Sequence, residues 1–346
     1  MVEHPRAAIV AAGALSATGL GWRGLGRALL SGALAPRPSS QLAASHPGTL
    51  ASEVGAIPAD KDVGDAKSRR LMSRSAHLAA VAMRGALEEA GWSEGRDRIG
   101  CFLGLGASGG PMEELAAILR ASVREGRVDP ARFCREGLAS AHPLLAFHLL
   151  SNFTLCHGSI AFGVGGPNRA FYSRGAGTVT AISEAIWALA EGDCERALAG
   201  GADSGLHQAS FVEMYLEGFC ARGWIPGEGA AWMALCRDAE RPLAFVEGCA
   251  VAGDAASVWA KLGGAPLAIL VPWGPPARDA LSEATRTARR VDLSACLGDP
   301  LAAGPALGCC AALDLLVAQE APAAGVLASG ADGEVAGVRL VAGGGR

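Results

Sequence analysis

Residues 167–192 read P-N-R-A-F-Y-S-R-G-A-G-T-V-T-A-I-S-E-A-I-W-A-L-A-E-G. The pattern is a short strand, a sharp turn and a helix. Val179, Ile182, Ile186 and Leu189 recur at three- and four-residue spacing, which gives the helix one apolar face. Gly192 is placed to end it. Ser173-Arg174-Gly175 falls where strand gives way to helix. A side chain there sits beside unpaired backbone N–H groups, at the positive end of the helix dipole. That setting lowers a thiol pKa and suits a thiolate. This chain carries an arginine instead, Arg174.

Working outward, apolar strands and helices alternate along the chain. Ala7–Ala12 reads as a strand ending at Gly13, followed by a Gly-rich turn and an amphipathic helix marked by Trp22, Leu25 and Leu29. Gly19-x-Gly21 lacks the third glycine of a dinucleotide fingerprint and the lysine of a P-loop. The Pro-containing stretch 33–66 reads as loop, and Ser68–Ala90 as the longest helix, stopped by Gly91. Its first residues, Lys67 to Arg74, are basic: a solvated helix end, or a contact for an acidic partner. Ile99–Leu105 is a buried strand, with Gly109, Gly110 and a Pro111-initiated helix after it. Asp129–Gly137 reads as a charged connector, His142–Cys156 as apolar helix and Arg196–Gly200 as strand. Beyond Gly227, strands are expected at Ala230–Cys236, Leu243–Cys249, Leu267–Val271, Val326–Ser329 and Val335–Ala342. Helices are expected at Asp254–Leu262, Pro276–Arg290 and Pro300–Gln319. This alternation predicts an α/β protein whose parallel strands are joined by helical crossovers.

Composition bounds the function. Half of the 346 residues are hydrophobic, enough for a sizeable core, and 48 glycines suit many tight turns. A net charge of -4 gives no case for nucleic acid. Neither a signal-peptide pattern nor a membrane-spanning apolar run is present, so a cytoplasmic protein is expected. The ten cysteines are dispersed without a C-x-x-C pair, which favours free thiols over a disulfide or metal framework. The seven histidines form no metal-spaced motif, and neighbours such as Cys156 and His157 point in different directions on a helix. No cofactor is implied.

The central stretch and its surroundings resemble a β-ketoacyl synthase of the condensing-enzyme, thiolase-like family. Phe162-Gly163-Val164-Gly165-Gly166-Pro167-Asn168 is similar to that family's approach to the nucleophile turn. Ala197-Leu198-Ala199-Gly200-Gly201-Ala202-Asp203 and Pro226-Gly227-Glu228-Gly229-Ala230 are similar to its next two landmarks. The resemblance implies a thiolase-like fold: two pseudo-symmetric halves, 1–226 and 227–346, stacked as α-β-α-β-α layers, with the C-terminal half shortened. Gly177-Thr178 supplies the family's Gly-Thr, and counting back places Arg174 at the cysteine. The first catalytic histidine has its counterpart in Pro272-Trp273-Gly274-Pro275-Pro276, which holds none. In Ser294-Ala295-Cys296-Leu297-Gly298-Asp299 the lysine position carries Ser294 and the second histidine position Asp299. The closing loop is reduced to Ser329-Gly330-Ala331-Asp332-Gly333. Glu228 reads as a structural residue holding a turn.

A permanently protonated guanidinium is no nucleophile, so the resemblance implies the fold while the residues argue against condensation. It implies a chain-length-factor-like subunit that pairs with an active ketosynthase through Asn168, Arg169, Ala170, Phe171, Tyr172 and Ser173, with an acyl carrier protein as a further partner. An acyl transferase or decarboxylase with a relocated site, or an acyl or aromatic ligand-binding protein, are the alternatives. Arg174 needs an anion if it is buried. Three outcomes stand open: pairing with Asp299, turning outward or filling the old acyl tunnel, or binding a ligand.

Overall fold

In the computed structural model the described residues are 4–344 apart from 33, 58–62, 65, 107–111, 273 and 331. Residues 33, 58–62 and 65 of the stretch read as loop, with Gly109–Pro111, Trp273 and Ala331, lie outside them.

Ten strands make one mixed sheet, extended by the two-residue segment Gly19–Leu20 beside the first strand. They are β1 (Ala7–Ser16), β2 (Ile99–Leu105), β3 (Asn168–Phe171), β4 (Arg196–Ser204), β5 (Glu228–Cys236), β6 (Ala244–Ala252), β7 (Leu267–Val271), β8 (Arg289–Asp292), β9 (Ala323–Ser329) and β10 (Val335–Ala342). The order across the sheet is β8-β7-β9-β10-β6-β1-β5-β4-β2-β3. The first five strands follow the sequence third, second, fourth, fifth, first, and the last five repeat it. Directions repeat as well. β3 and β4 run parallel to β2, and β8 and β9 run parallel to β7, while the remaining neighbours are antiparallel. Antiparallel pairing of β1 with β6 joins the halves. A cut at 226/227 separates β5 from β1 and β4, the strands it pairs with.

The main helices are α1 (Leu25–Ser31), α2 (Ala66–Arg70), α3 (Arg74–Glu89), α4 (Met112–Ser122), α5 (Leu145–Leu149), α6 (Phe153–Phe162), α7 (Arg174–Glu191), α8 (Gln208–Leu216), α9 (Ala255–Lys261), α10 (Gly274–Ala284) and α11 (Gly304–Val317). α7 and α11 each follow the third strand of their half, and both lie between the two half-sheets. Their side chains share one core with Ile9, Phe102 and Met233 of the first half and Ile269, Val326 and Val338 of the second. Being covered on every side, α11 is buried from Gly304 to Leu316, as a helix apolar all round must be. Outside the first half-sheet, α3 and α6 pack in a second core, and α9 with part of α10 makes a third outside the other half. Strand alternation decides which core a residue joins. On β5, Trp232 faces outward to α3 and Met233 inward to α7 and α11. The result is the α-β-α-β-α layering that the family resemblance implies.

Several boundaries differ from the sequence reading. β1 runs past Gly13 to Ser16, because Gly13 lets the backbone of α3 approach: a Cβ there would lie 2.0 Å from Ala82 O. Residues 68–90 are two helices. Ser73 breaks them, its Oγ capping α3 by accepting from Ala76 N at 3.2 Å. α7 is therefore the longest helix. His142–Cys156 likewise splits into α5 and α6, and Asp129–Gly137 is a short helical turn capped by Asp129, not an open connector. The helix expected over 276–290 ends at Ala284 and is followed by edge strand β8. Among the described residues no helix is long and apolar enough to cross a membrane.

Candidate functional site

The turn at 173–174 is as sharp as expected. Ser173 has φ 129° and Arg174 φ 49°, left-handed values that cost a side-chain-bearing residue about 1–3 kcal/mol each. Close packing holds the strain. Thr178, in the first turns of α7, donates to Ala302 O at 2.5 Å. It fits against β2 and β4 only because residues 104 and 201 are glycines, whose Cβ atoms would lie 2.0 Å and 2.7 Å from its Oγ1. Ser173 Oγ hydrogen-bonds Glu334, whose other carboxylate oxygen accepts from Asp332 N at 2.9 Å. Residues 332–334 are thereby tied to the turn.

Arg174 stays at the site. Its side chain is 15% exposed, and its guanidinium pairs with Glu213 on α8 at 2.8 Å and touches Met214 Sδ at 3.5 Å. Of the outcomes left open, outward rotation does not occur. The ion pair goes to Glu213 rather than Asp299. Asp299 is buried and already held, accepting from Trp224 Nε1 at 2.8 Å and Leu301 N at 3.0 Å. It acts on Arg174 through space, as does Asp203 at the end of β4. Asp203 accepts from Ser204 N at 2.8 Å and Ala302 N at 3.2 Å. Burial pushes Asp203 up to about 7 and Asp299 up to about 6, against their N–H bonds and the pull of Arg174. Burial also lowers the Arg174 pKa, with Glu213 the chief opposing charge.

Backbone pairing brings the other expected positions together. Asp299 N donates to Ile225 O at 2.8 Å, and Gly227 N donates to Asp299 O at 2.9 Å. Pro272, Ser294 and Asp299 line one small cavity with Trp224 and Arg278. Its volume is about 30 Å³. Ser294 donates to Asp292 at 2.6 Å and accepts from Arg278 at 2.8 Å. Among the described residues Cys156 and His157 are not hydrogen-bonded to each other, and His157 Nε2 is buried without a partner; burial raises the thiol pKa and lowers that of the imidazole. The ten cysteines are free, with Cys101 and Cys310 pushed up to about 12.

Glu228 is structural on a larger scale than one turn. Fully buried, it accepts from Arg74 Nε at 2.6 Å, Val54 N at 2.9 Å, Ser204 Oγ at 2.9 Å and Gln41 Nε2 at 3.1 Å. One member of the basic stretch, Arg74, is thus turned inward. The sequence reading missed Glu213, Trp224 and Glu334. Nothing in their spacing marks them, whereas Asp203 was visible as an acid at the end of an apolar strand.

No curated protein matches this chain. Solved structures do. A β-ketoacyl synthase from Burkholderia phymatum STM815 is 19% identical, with TM-score 0.78 over 98% of this chain and 99% of that one. The ishigamide ketosynthase/chain length factor is 20% identical, with TM-score 0.75 and the same coverage. The type II polyketide synthase acyl-carrier protein in complex with its ketosynthase bound to the hexaketide (AntDE:AntF) contributes a chain 16% identical, with TM-score 0.74, again over 98% and 99%. Identities this low speak to the fold, which is thiolase-like in all three. The family model for the β-ketoacyl synthase N-terminal domain matches residues 5–241. By that match, and with a fold to agree, the chain belongs to the β-ketoacyl synthase family.

Proposed function

We propose that this chain is a non-catalytic, chain-length-factor-like subunit. It pairs in the cytoplasm with an active ketosynthase of a type II polyketide, aryl-polyene or fatty-acid-like system and shapes that enzyme's acyl tunnel. One observation carries the reading: the elbow where a thiolate would attack holds a guanidinium, kept in place by Glu213 and backed by two buried aspartates. No proton-accepting state of that group exists at neutral pH. Pro272, Ser294 and Asp299 cannot supply the imidazoles and ammonium of the condensation.

The partner surface we infer is Asn168–Ser173. Among the described residues β3 ends the sheet and pairs with β2 alone, which leaves its outer edge for another strand. Exposed apolar side chains gather nearby in sequence at Leu138, Leu144, Leu149, Leu150 and Ile160, and Tyr172 follows β3. Lys67 and Arg70 remain outward-facing for an acyl carrier protein. Co-expression with a ketosynthase that retains its cysteine, two histidines and lysine tests the proposal. A soluble 1:1 complex is expected, with self-association of the chain expressed alone. A well-behaved monomer with no affinity for that ketosynthase would sink it.

A second reading, an enzyme with relocated chemistry, draws on the raised pKa values of Asp203 and Asp299. Acyl-thioester turnover by the isolated chain, lost in Asp299→Asn, would favour it.

A further inference from the structure

A groove of about 760 Å³ opens where the chain enters β1. That volume is within the range of small-molecule sites. β6 pairs with β1 only from Ala244 to Val246, opposite Ile9 to Ala7. Pro5 has no N–H with which to continue the ladder, and β6 bulges between Val246 and Gly248. Among the described residues, Glu247–Ala252 therefore pair with β10 alone. The space so left is lined by His4, Arg6, Glu247, Lys261, Leu262 and Arg339.

Three of these side chains are cations at neutral pH and one is an acid. Glu247 is taken up by Arg339, whose Nε donates to it at 2.8 Å. The same guanidinium donates to Leu262 O at 3.1 Å and to Gly264 O. Arg6 and Lys261 are exposed, and among the described residues no carboxylate lies within ion-pair reach of either. Asp254 acts on Lys261 through space, its carboxylate capping α9 by accepting from Ser257 N at 2.8 Å. Both cations are nonetheless positioned. Arg6 lies over the Phe245 ring, its guanidinium carbon 4.7 Å from the centroid. Lys261 Nζ donates to Val251 O in a long bond of 3.4 Å, which a better acceptor would displace. His4 is held against α7, with Nε2 3.2 Å from Ser183 Oγ. Two positive charges without a counter-ion thus line one groove, in a chain whose net charge is -4.

We propose that this groove binds a phosphate monoester, with its phosphoryl group between Arg6 and Lys261 and the rest of the molecule against Leu262. Such a group carries a charge of about -1.5 to -2 near neutral pH and three strong acceptor oxygens, which matches two cations. The guanidinium fork can take two of those oxygens and the ammonium the third. A phosphate diester or a monocarboxylate, singly charged, answers only one of the two cations, and a neutral molecule neither.

Calorimetric titration of adenosine 5′-monophosphate, cyclic adenosine monophosphate and adenosine into the full chain, with a phosphorus NMR titration of inorganic phosphate, tests this. The monoester is expected to saturate one site, inorganic phosphate to compete for it, the cyclic diester to bind at least fivefold more weakly and adenosine not to bind. Arg6→Gln and Lys261→Gln are each expected to weaken the monoester about tenfold. Arg120→Gln, which removes an exposed arginine of α4 outside the groove, should leave it unchanged. Arg6 and Lys261 are both exposed, so the variants keep the melting temperature of the ligand-free chain. Failure of both the monoester and inorganic phosphate to bind, equal affinity for monoester and cyclic diester, or an equal effect of all three substitutions would each overturn the proposal. The groove shares no residue with the elbow or with β3, so none of these results touches the proposed subunit role.

Discussion

At the scale of single residues, Arg174 sets the properties of the elbow. Its charge acts on four surrounding carboxyls, Glu213, Asp299, Glu217 and Asp203, of which Asp299 and Asp203 are buried. Arg174→Ala strands the two buried ones, and about 1–3 kcal/mol of stability should be lost at pH 8 by urea unfolding. Arg174→Cys is expected to give no condensation product from an acyl and a malonyl thioester by mass spectrometry, because Pro272, Ser294 and Asp299 offer no imidazole to drive decarboxylation. Condensation by that variant would contradict the reading of Pro272, Ser294 and Asp299 as inert. The aspartates make stability pH-dependent. Their folded pKa values, about 7 and about 6, lie above the ordinary aspartate value near 3.9. The unfolded state therefore binds fewer protons than the folded state between about pH 4 and 7. Stability contributed by the protonated carboxyls is present at the acid end and is lost as pH rises through that window. Carboxyl ¹³C titration of Asp203 and Asp299, alongside melting curves, checks the sign. Buried Glu228 joins Arg74, Val54, Ser204 and Gln41. Glu228→Ala leaves Arg74 without its partner and should cost about 3–5 kcal/mol, more than any exposed ion pair here.

At the scale of elements, the helices that carry the site were legible where one face had to be apolar. α7 matched its spacing because its buried side meets both half-sheets. The reading of 68–90 as one helix failed at Ser73, where a side-chain cap competes with helix continuation. Ser73→Ala is expected to cost about 1 kcal/mol of α3 stability, read by thermal melts. The helix expected over 276–290 overruns the first two residues of strand β8, R-R-V-D, because an edge strand with one buried side chain carries almost no period-two signal. β3 is short for the same topological reason, but its free edge matters to the proposed pairing. Tyr172→Asp should reduce co-purification with a ketosynthase severalfold while leaving the melting temperature within a few degrees, because the side chain is 55% exposed. Loss of stability without loss of pairing would place the interface elsewhere.

At the scale of the whole molecule, the two halves share one sheet through β1 and β6 and one core through α7 and α11. Neither half covers its inner face without the other. Circular dichroism and tryptophan fluorescence are therefore expected to report one coincident unfolding transition, and two separated transitions would show the halves to be independent. The repeated strand order has no counterpart in repeated residues, because a topology needs only apolar faces of the right period and many sequences supply them. What the residues alone determined was the α/β class, the strand–turn–helix of the elbow and an arginine rather than a cysteine at its turn, since periodicity and residue chemistry are local properties. What only the tertiary structure decided was which anion holds Arg174, that Pro272, Ser294 and Asp299 line one small cavity, and that Arg74 turns inward. Those are matters of distance between residues far apart in the chain, and distance is set by packing.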